Sequence, residues 1–295
     1  MAQYKKILVA FDGSESAKNA LAVAVKLAKQ DNSWIKVLDV VSPYSGNTAE
    51  TDGINTKKTS EDLAGEIFAG VHAIADEEGI QISTTIAQGE PFQQISAIAE
   101  EEECDLIVMG RQGISHFERE LMGSVTARVI GHTSKNVLVV PENFSWDGKW
   151  ESILLAMDGS PICATANSEA LEIARERSVK ISALSVIKAN ISSESAAFSQ
   201  AAARDIEMKA QSIVNEFQEQ AAAKGIDAVA LVKHGQPHKE IVASAAELGV
   251  TVIVMCTHGK TGIKRLLMGS VTQRTIGHAD CPVLVVPNRD SCEMK

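Results

Sequence analysis

The sequence has no apolar stretch long enough to cross a membrane, because its longest hydrophobic runs are only as long as strands. Residues 1–8, MAQYKKIL, run straight into a strand pattern without the hydrophobic segment of a secretory signal. These two absences argue against a membrane protein and a secreted protein. We therefore expect the protein to be cytoplasmic.

Cysteine is scarce and shows no metal-binding or redox spacing. The five cysteines are an odd number, and no two of them form a C-x-x-C pair. Their spacing favours neither a zinc site nor the disulfide framework of a small secreted domain. We therefore expect reduced, unpaired thiols at Cys104, Cys163, Cys256, Cys281 and Cys292.

Positive charge is also in short supply. The chain has 28 Lys and Arg against 38 Asp and Glu, so its formal net charge is −10. Residues 1–145 hold 12 against 21, a net of −9, and residues 146–295 hold 16 against 17, a net of −1. Neither half has the basic stripe that binding a nucleic-acid backbone requires. Nucleic acid is therefore not an expected partner.

The sequence does contain one domain written twice, at a constant offset of 146 residues. Residues 7–14, ILVAFDGS, return as 153–160, ILLAMDGS, and VLVVP at 137–141 returns unchanged at 283–287. The segment LMGSVT at 121–126 likewise returns at 267–272. A constant offset from the first strand to the last predicts two complete copies of one fold, residues 1–145 and 146–295.

Each copy alternates short apolar runs with segments of helical periodicity. The apolar runs lack a polar face, which is typical of parallel strands covered by helices on both sides, so we predict a Rossmann-like α/β fold. A polar stretch, residues 42–58, is predicted to be a mobile loop. The connection at 141–150 contains Trp146 and Trp150 rather than a Gly/Ser run, so we expect it to pack and to hold the domains in one arrangement.

Two motifs indicate a site beyond the carboxyl ends of the strands. The first is Asp12 after strand one, and the second is a loop after strand four with Gly110, Gly113, nine further residues and then Gly123. Backbone N–H groups at Gly123 and Ser124, with nearby hydroxyls, can donate to a phosphate. An ordinary turn and helix cap is the alternative, but recurrence of the pattern in the second copy favours an anion cradle.

The combined pattern, G-x-x-G, nine residues and G-S, with Asp-Gly-Ser after strand one and VLVVP at strand five, resembles the universal stress protein family. The resemblance covers nearly the whole chain twice, as in a tandem member. It implies a five-stranded parallel sheet of order 3-2-1-4-5 in each copy. It also implies an ATP site where the full motif is kept, and pairing of the copies through strand five as an internal pseudo-dimer.

The resemblance also implies site residues, carried over position by position. Asp12 and Val41 would border the adenine and ribose. The remaining positions of the first copy would line the phosphate loop: Met109, Gly110, Gly113, Gly123, Ser124, Val125 and Thr126. The matching positions of the second copy are Asp158, Ile187, Met255, Gly259, Gly269, Ser270, Val271 and Thr272.

The second copy departs from the family pattern at Cys256, which stands at the first glycine of the motif. We interpret Cys256 as a small buried hydrophobe rather than as a redox-sensitive thiol. The loop of the second copy carries Lys260, Lys264 and Arg265, which favours phosphate, whereas the glycine count favours the first copy. We place the tighter site in the first copy.

Other motifs are set aside. Gly259-Lys-Thr261 ends like a Walker A loop, but the required first glycine is Val254. His234 and His238 are interrupted by Gly235 and Pro237, which favours a turn over a metal pair. His132 and His278 each end a helix pattern, which indicates capping rather than catalysis.

These features predict a cytoplasmic stress-response protein that binds ATP, ADP or AMP, with Mg²⁺ as a candidate companion ion, and acts as a regulatory or protective module through an unidentified protein partner. No general base or metal cage is visible, so efficient turnover is not predicted. Two alternatives stay open. One is a slow ATP hydrolase, with Asp12 holding a metal, or an enzyme that phosphorylates itself at Ser124 or Ser270. The other is a nucleotide-free, partner-binding tandem. A further homodimer also stays open.

Overall fold

The computed structural model describes residues 4–42, 60–113, 122–188, 196–258 and 268–288. Except for Ser42, the predicted loop at 42–58 lies outside these ranges, as do Gly259 and the basic residues Lys260, Lys264 and Arg265. The chain divides into two compact units. One comprises Met1–Arg119 and Gly123–Gly148, and the other Glu120–Met122 and Lys149–Lys295.

The first unit is a parallel sheet with alternating helices. Each strand pairs in parallel with its neighbours in the order β3-β2-β1-β4-β5. Every residue of β4 and β5 is buried, as expected for strands covered on both faces. The elements are β1 Lys6–Ala10, α1 Glu15–Asp31, β2 Trp34–Val41, α2 Ser60–Glu78, β3 Ile82–Gln88, α3 Pro91–Glu101, β4 Leu106–Gly110, α4 Ser124–His132 and β5 Asn136–Val140.

The second unit repeats this topology with its strands in the order β8-β7-β6-β9-β10, again all parallel. A short 3-10 turn at Pro161–Cys163 precedes its first helix and has no counterpart in the first unit. The other elements are β6 Ser152–Ala156, α5 Ala164–Arg177, β7 Lys180–Lys188, α6 Ala196–Ala223, β8 Ala228–Gly235, α7 Pro237–Leu248, β9 Val252–Cys256, α8 Ser270–His278 and β10 Val283–Val286.

The predicted α/β class and the strand order 3-2-1-4-5 are thus confirmed in both units. In that order the chain leaves β1 on one side and β4 on the other, so a crevice opens beyond the carboxyl ends of these two central strands. Pairing of the two copies through β5 and β10 stays a prediction. Among the helices of the described residues, none is long and apolar enough to cross a membrane.

The connection between the copies is anchored by side chains on either side. The amide of Asn19, in α1, donates to the carbonyl oxygens of Pro141 and Phe144, at 2.8 Å each. Trp146 is buried, and its carbonyl oxygen accepts a hydrogen bond from Lys26 Nζ. Within the second unit, the Arg177 guanidinium lies over the Trp150 ring, with its Cζ atom 5.2 Å from the ring centroid. The expectation that this segment packs is confirmed, and the fixed arrangement of the two domains stays a prediction.

Candidate functional site

The crevice of the first unit is lined by the turn after β1 and the loop after β4. These strands are neighbours, with Ala10 opposite Met109 in their register. The two following segments, which carry Asp12 and Gly113, therefore come together. A β-carbon built on Gly113 would lie 2.6 Å from Asp12 Oδ2, so a side chain at this position would displace the carboxylate. The structure thus brings the two sequence motifs into one site.

Asp12 also organises the start of α1. Its Oδ1 accepts a hydrogen bond from the N–H of Ser14 at 3.0 Å, and Ser14 Oγ in turn accepts from the N–H of Ala17 at 3.1 Å. Gly13, between them, has φ +79°, a left-handed conformation that favours glycine. Asp12 therefore has a structural role in addition to the ligand contact that the sequence predicts.

Gly110 is a glycine because helix α1 packs against it. A β-carbon there would lie 2.4 Å from Ser16 Oγ and 2.8 Å from the Ser16 carbonyl carbon. The Thr126 hydroxyl donates to the Gly110 carbonyl oxygen at 3.1 Å, and Thr126 is buried. The sequence suggested this hydroxyl as a phosphate donor, which is wrong, because it already ties the end of β4 to the start of α4.

The start of α4 supplies the backbone donors of the site. The N–H of Gly123 donates to the Arg111 carbonyl oxygen at 2.9 Å, so the expectation that it serves a phosphate is also wrong. The next three N–H groups belong to the first turn of α4 and have no acceptor within the helix. Among the described residues they have no other partner, and Gly123 provides no side-chain cap. These free donors are those of Ser124, Val125 and Thr126.

The second unit builds the same arrangement. Asp158 Oδ1 accepts from the N–H of Ser160 at 2.9 Å, and the N–H of Gly269 donates to the Thr257 carbonyl oxygen at 2.9 Å. Thr272 Oγ1 donates to the Cys256 carbonyl oxygen at 3.0 Å. The first turn of α8 therefore presents the same uncapped N–H groups, from Ser270 to Thr272. Both copies therefore present an uncapped helix amino terminus at the topological switch point, an arrangement that favours anions in general.

Cysteine is where the two units differ most. Cys163, at the start of α5, and Cys256, the last residue of β9, are joined as a disulfide with a Cα–Cα distance of 5.3 Å. The expectation of unpaired thiols is therefore wrong for this pair. Cys256 is buried, as expected, but bonded rather than only packed. Their separation of 93 residues gave no pairing signal, because the contact arises only when α5 crosses the end of β9.

Charge also differs between the two sites. In the first unit Asp39, on β2, has its pKa raised by burial and, to a smaller extent, by the negative charge of Asp12, while a backbone hydrogen bond from Val40 acts in the opposite direction. The residue at the corresponding position of the second unit is Ser185. Sequence reasoning missed Asp39, although an aspartate inside an otherwise apolar strand end was a visible signal.

The second unit contains a cavity of about 410 Å³ beside the start of α8, within the range of small-molecule sites. In the first unit Arg128 pairs with Glu90 at 2.8 Å, but Arg274, at the matching position of the second, faces the uncharged Gln236 and makes no ion pair with the residues described. The cavity is therefore cationic. Its lining comprises Lys188, Gly235, Gln236, Pro237, His238, Ser270, Val271 and Arg274.

The pKa of His238 is shifted by this environment. Its pKa is lowered, first by burial and then by the positive charges of Arg274, His278 and Lys239. His234 instead pairs with Glu207 at 2.8 Å, and the described residues contain no group of ligands that could hold a metal ion. A metal site between His234 and His238 finds no support among these contacts.

Other predicted site residues flank this core of the site. Val41 and Ile187 are half-buried at the carboxyl ends of β2 and β7, the strands next to β1 and β6. The side chains of Met109 and Met255 are buried within β4 and β9 and form part of the core. His132 and His278 each contact the carbonyl oxygen four residues earlier at 2.7 Å, in agreement with the predicted capping role.

Comparisons with known proteins agree with this geometry. The model of the universal stress protein family matches twice, at residues 3–141 and 149–287. A universal stress protein of Methanocaldococcus jannaschii is 36% identical over 139 residues, which cover 46% of this chain and 82% of that protein. The protein YxiE of Bacillus subtilis is 30% identical over 146 residues, covering 46% and 99%. A solved universal stress protein of Archaeoglobus fulgidus has a TM-score of 0.71 at 21% identity, covering 97% of each chain.

Proposed function

The chain belongs to the universal stress protein family in both of its halves, and on that premise we propose that it binds adenine nucleotide, ATP foremost and ADP or AMP as alternatives. It acts as a cytoplasmic regulatory or protective module, not as an efficient catalyst. Bound nucleotide changes the surface presented to a protein partner by favouring one conformation of the loops around the site. We also propose that the domains, 1–145 and 146–295, pair intramolecularly through β5 and β10.

One observation carries this proposal: the uncapped amino terminus of α4, and of α8, opens at the crevice between two diverging strands. Three unpaired N–H groups and the helix dipole together favour a negatively charged group. Gly113 adds no side chain of its own beside Asp12, where a β-carbon would lie 2.6 Å from Oδ2. The residues present therefore fit a phosphate-bearing ligand.

The proposed roles follow from these positions. Backbone donors of Ser124, Val125 and Thr126 hold phosphate oxygens, while the Asp12 carboxylate accepts from ribose hydroxyls and Val41 borders the adenine. Gly110 and Gly123 shape the loop, and the Thr126 hydroxyl positions α4 against β4. The second site uses Asp158, Ile187, Gly259, Gly269, Ser270, Val271 and Thr272 in the same way, with Met109 and Met255 supporting the two loops from the core.

The charges favour the second copy as the site that binds nucleotide without a divalent cation. Arg274 and Lys188 line the cavity beside α8 and make no ion pair with a carboxylate of the described residues. The first unit instead has two aspartates, Asp12 and Asp39, close enough to interact, and pairs Arg128 with Glu90. This distribution argues against placing the tighter site in the first copy. A divalent cation such as Mg²⁺ would supply positive charge there and offset the repulsion between carboxylates and phosphate.

The proposal is tested by nucleotide release and calorimetry on the full chain. Purified protein is denatured and any released nucleotide identified by chromatography, and stripped protein is then titrated with ATP, with and without Mg²⁺. We expect two binding events without Mg²⁺-dependent turnover. The proposal fails if no nucleotide is released and millimolar ATP gives no binding heat. Sustained ATP hydrolysis that disappears in Asp12→Ala would instead support the alternative function, a slow ATP hydrolase.

Two glycine variants assign the sites. Gly123 and Gly269 have φ −58° and −60°, which any residue adopts, but a β-carbon would lie 3.4 Å from the Arg111 carbonyl oxygen and 3.1 Å from the Thr257 carbonyl oxygen. Gly123→Val and Gly269→Val therefore crowd the loop beneath each helix terminus, and circular dichroism checks that each variant folds before it is titrated. Each is expected to abolish one of the two binding events. Gly70→Val is the matched control, because a side chain at this exposed position of α2 meets nothing within 4 Å. Equal loss in all three variants would contradict the assignment.

A further inference from the structure

The disulfide of the second unit joins the two walls of its site. Cys163 lies in the 3-10 turn that follows Asp158, and Cys256 ends β9 immediately before the loop that leads to α8. Both side chains are buried, with relative exposures of 2% and 6%. Cys163 Sγ also lies 3.5 Å from Asp158 Oδ1. The bond is therefore internal to the site rather than a surface cross-link.

The pair reflects a coordinated change of sequence relative to the first unit. At the offset of 146 residues, Ala17 and Gly110 stand where the second unit has Cys163 and Cys256. A side chain at Gly110 is excluded because its β-carbon would lie 2.8 Å from the backbone of Ser16 in α1. The helix start of the second unit is built differently, and this makes room for a side chain at Cys256.

That different start is the 3-10 turn. Helix α1 begins at Glu15, but the corresponding residue of the second unit is Pro161, and α5 begins three residues later, at Ala164. Cys163 ends this turn and lies against Cys256, with the two Cα atoms 5.3 Å apart. Cys256 in place of glycine, the 3-10 turn and Cys163 therefore occur together in the second unit.

We propose that Cys163 and Cys256 are a reversible dithiol–disulfide pair, oxidised by hydrogen peroxide and reduced by a dithiol. The Cys163 thiolate attacks the peroxide; an S–O bond forms, the O–O bond breaks and one oxygen leaves as water after taking up a proton. The Cys256 thiol then attacks this sulfenic acid; the S–S bond forms, the S–O bond breaks and a second water leaves. Two electrons pass from the thiols to the peroxide.

Cys163 is the attacking residue because of its position. It is the N-cap residue of α5, where the helix dipole stabilises a thiolate, and the Ser160 hydroxyl donates to its sulfur at 3.3 Å. Both sulfurs lie near oxygens that disfavour a negative charge: Cys163 Sγ is 3.5 Å from Asp158 Oδ1 and 3.8 Å from the His258 carbonyl oxygen. Cys256 Sγ is closer to that carbonyl, at 2.9 Å, and lies at a strand end, where no helix dipole offsets the repulsion. Cys256 is therefore the resolving thiol.

The other described cysteines do not compete. Burial raises the pKa of Cys104 to about 11, with a further contribution from the Glu102 charge. Burial likewise raises the pKa of Cys281 to about 12. Both remain protonated at neutral pH, and a protonated thiol reacts poorly with peroxide. Cys292 lies outside the described residues and is replaced by serine in the test.

The test uses the full chain carrying Cys292→Ser, which leaves four of the five cysteines. We expect four titratable thiols in denaturant after reduction and two after brief peroxide treatment, with a mass loss of about 2 Da. Peptide mapping should join the peptides of Cys163 and Cys256, and a dithiol reductant should restore four thiols. Four thiols remaining after treatment, or linkage of any other pair, would overturn the proposal.

Single variants separate the two steps. Cys256→Ala should accumulate a sulfenic acid on Cys163 that dimedone traps, whereas Cys163→Ala should give little adduct and no linkage. Cys104→Ala is the matched control and should form the disulfide normally. Dimedone adduct mainly on Cys256 in Cys163→Ala would overturn the assignment of the attacking thiol. These measurements need no nucleotide, so their outcome does not depend on the proposed function.

The consequence for binding rests on the proposed function. The oxidised pair fixes the Asp158 turn to the loop after β9, so the second site is held in one arrangement and less ordering accompanies binding. We expect oxidation to raise the ATP affinity of this site at least threefold and to leave the affinity of the first site unchanged. The pair Cys163→Ala with Cys256→Gly, which installs the first copy's residues, should respond to neither oxidant nor reductant. Equal affinity in both redox states would refute this coupling.

Discussion

Gly113 lies against Asp12, so that a β-carbon at residue 113 would come within 2.6 Å of the Asp12 Oδ2 atom. The other oxygen of the same carboxylate accepts the N–H of Ser14 and so fixes the turn that starts α1. The carboxylate therefore lies between the loop after β4 and the start of the first helix.

Gly113→Ala is expected to weaken ATP binding at the first site about tenfold, equivalent to about 1.4 kcal/mol. The new methyl group displaces the Asp12 carboxylate from the position in which it would accept a ribose hydroxyl. Titration calorimetry of the two sites measures the effect. Gly70→Ala, which adds a methyl group where nothing lies within 4 Å, should bind normally. Unchanged affinity in Gly113→Ala would count against contact between Asp12 and the ligand.

Gly110→Ala is expected to destabilise the first unit by about 1–3 kcal/mol, the usual effect of overpacking. The cause is the contact of the new β-carbon with the backbone of Ser16, which a side-chain rotation cannot relieve. Urea unfolding followed by circular dichroism gives the free energy of unfolding. Gly70→Ala, in the exposed interior of α2, should instead stabilise the unit slightly, because alanine favours a helix more than glycine does. A Gly110→Ala variant as stable as the unmodified protein would contradict the close approach of α1 to β4.

Arg274→Gln is expected to weaken ATP binding at the second site about tenfold at low salt, because it removes a cation that has no carboxylate partner among the described residues. Arg128→Gln, its counterpart, should change the first site less than twofold, since Glu90 holds that guanidinium at 2.8 Å and competes with a phosphate for its N–H donors. Gln236→Glu should reproduce the loss by giving Arg274 the partner that Arg128 has. Equal effects of the two arginine variants would contradict the assignment.

The imidazole of His238 should report on anion binding. Its pKa lies below the ordinary value of 6.5 because of burial and neighbouring positive charges, so in the free protein it is mostly neutral at pH 7. A phosphate in the cavity reverses the local charge and should raise this pKa, which NMR of the ring resonances measures with and without ATP. A pKa that does not move at saturating ATP would place the anion elsewhere.

Asp39→Asn should stabilise the protein at neutral pH. The folded-state pKa of Asp39 is raised, so the folded state binds the proton more tightly than the unfolded state. Protonated Asp39 therefore adds to the free energy of unfolding below the unfolded-state pKa, and this stabilisation is lost as the pH rises through the folded-state pKa. The gain of the variant should shrink as the pH falls toward 4. Unfolding curves at several pH values test this, and a gain independent of pH would contradict it.

The repeat and the alternation of strand and helix patterns predicted the fold well, because a buried parallel strand such as Leu106–Gly110 and a helix opening at Pro91 are local signals. The contents of the site were less predictable. Whether Thr126 serves a ligand or the Gly110 carbonyl depends on a distance between elements, which spacing does not encode. The Cys163–Cys256 bond likewise depends on how one helix crosses one strand end.

The anchoring of the chain after β5 also decides where the first half can be cut. Asn19 holds the carbonyl oxygens of Pro141 and Phe144, and the Thr165 hydroxyl, at the matching position of the second unit, donates to that of Pro287 at 3.2 Å. An excised first domain that ends with its last strand would leave the Asn19 amide without acceptors and uncover the surface beneath Trp146. A separable module should therefore extend through Gly148.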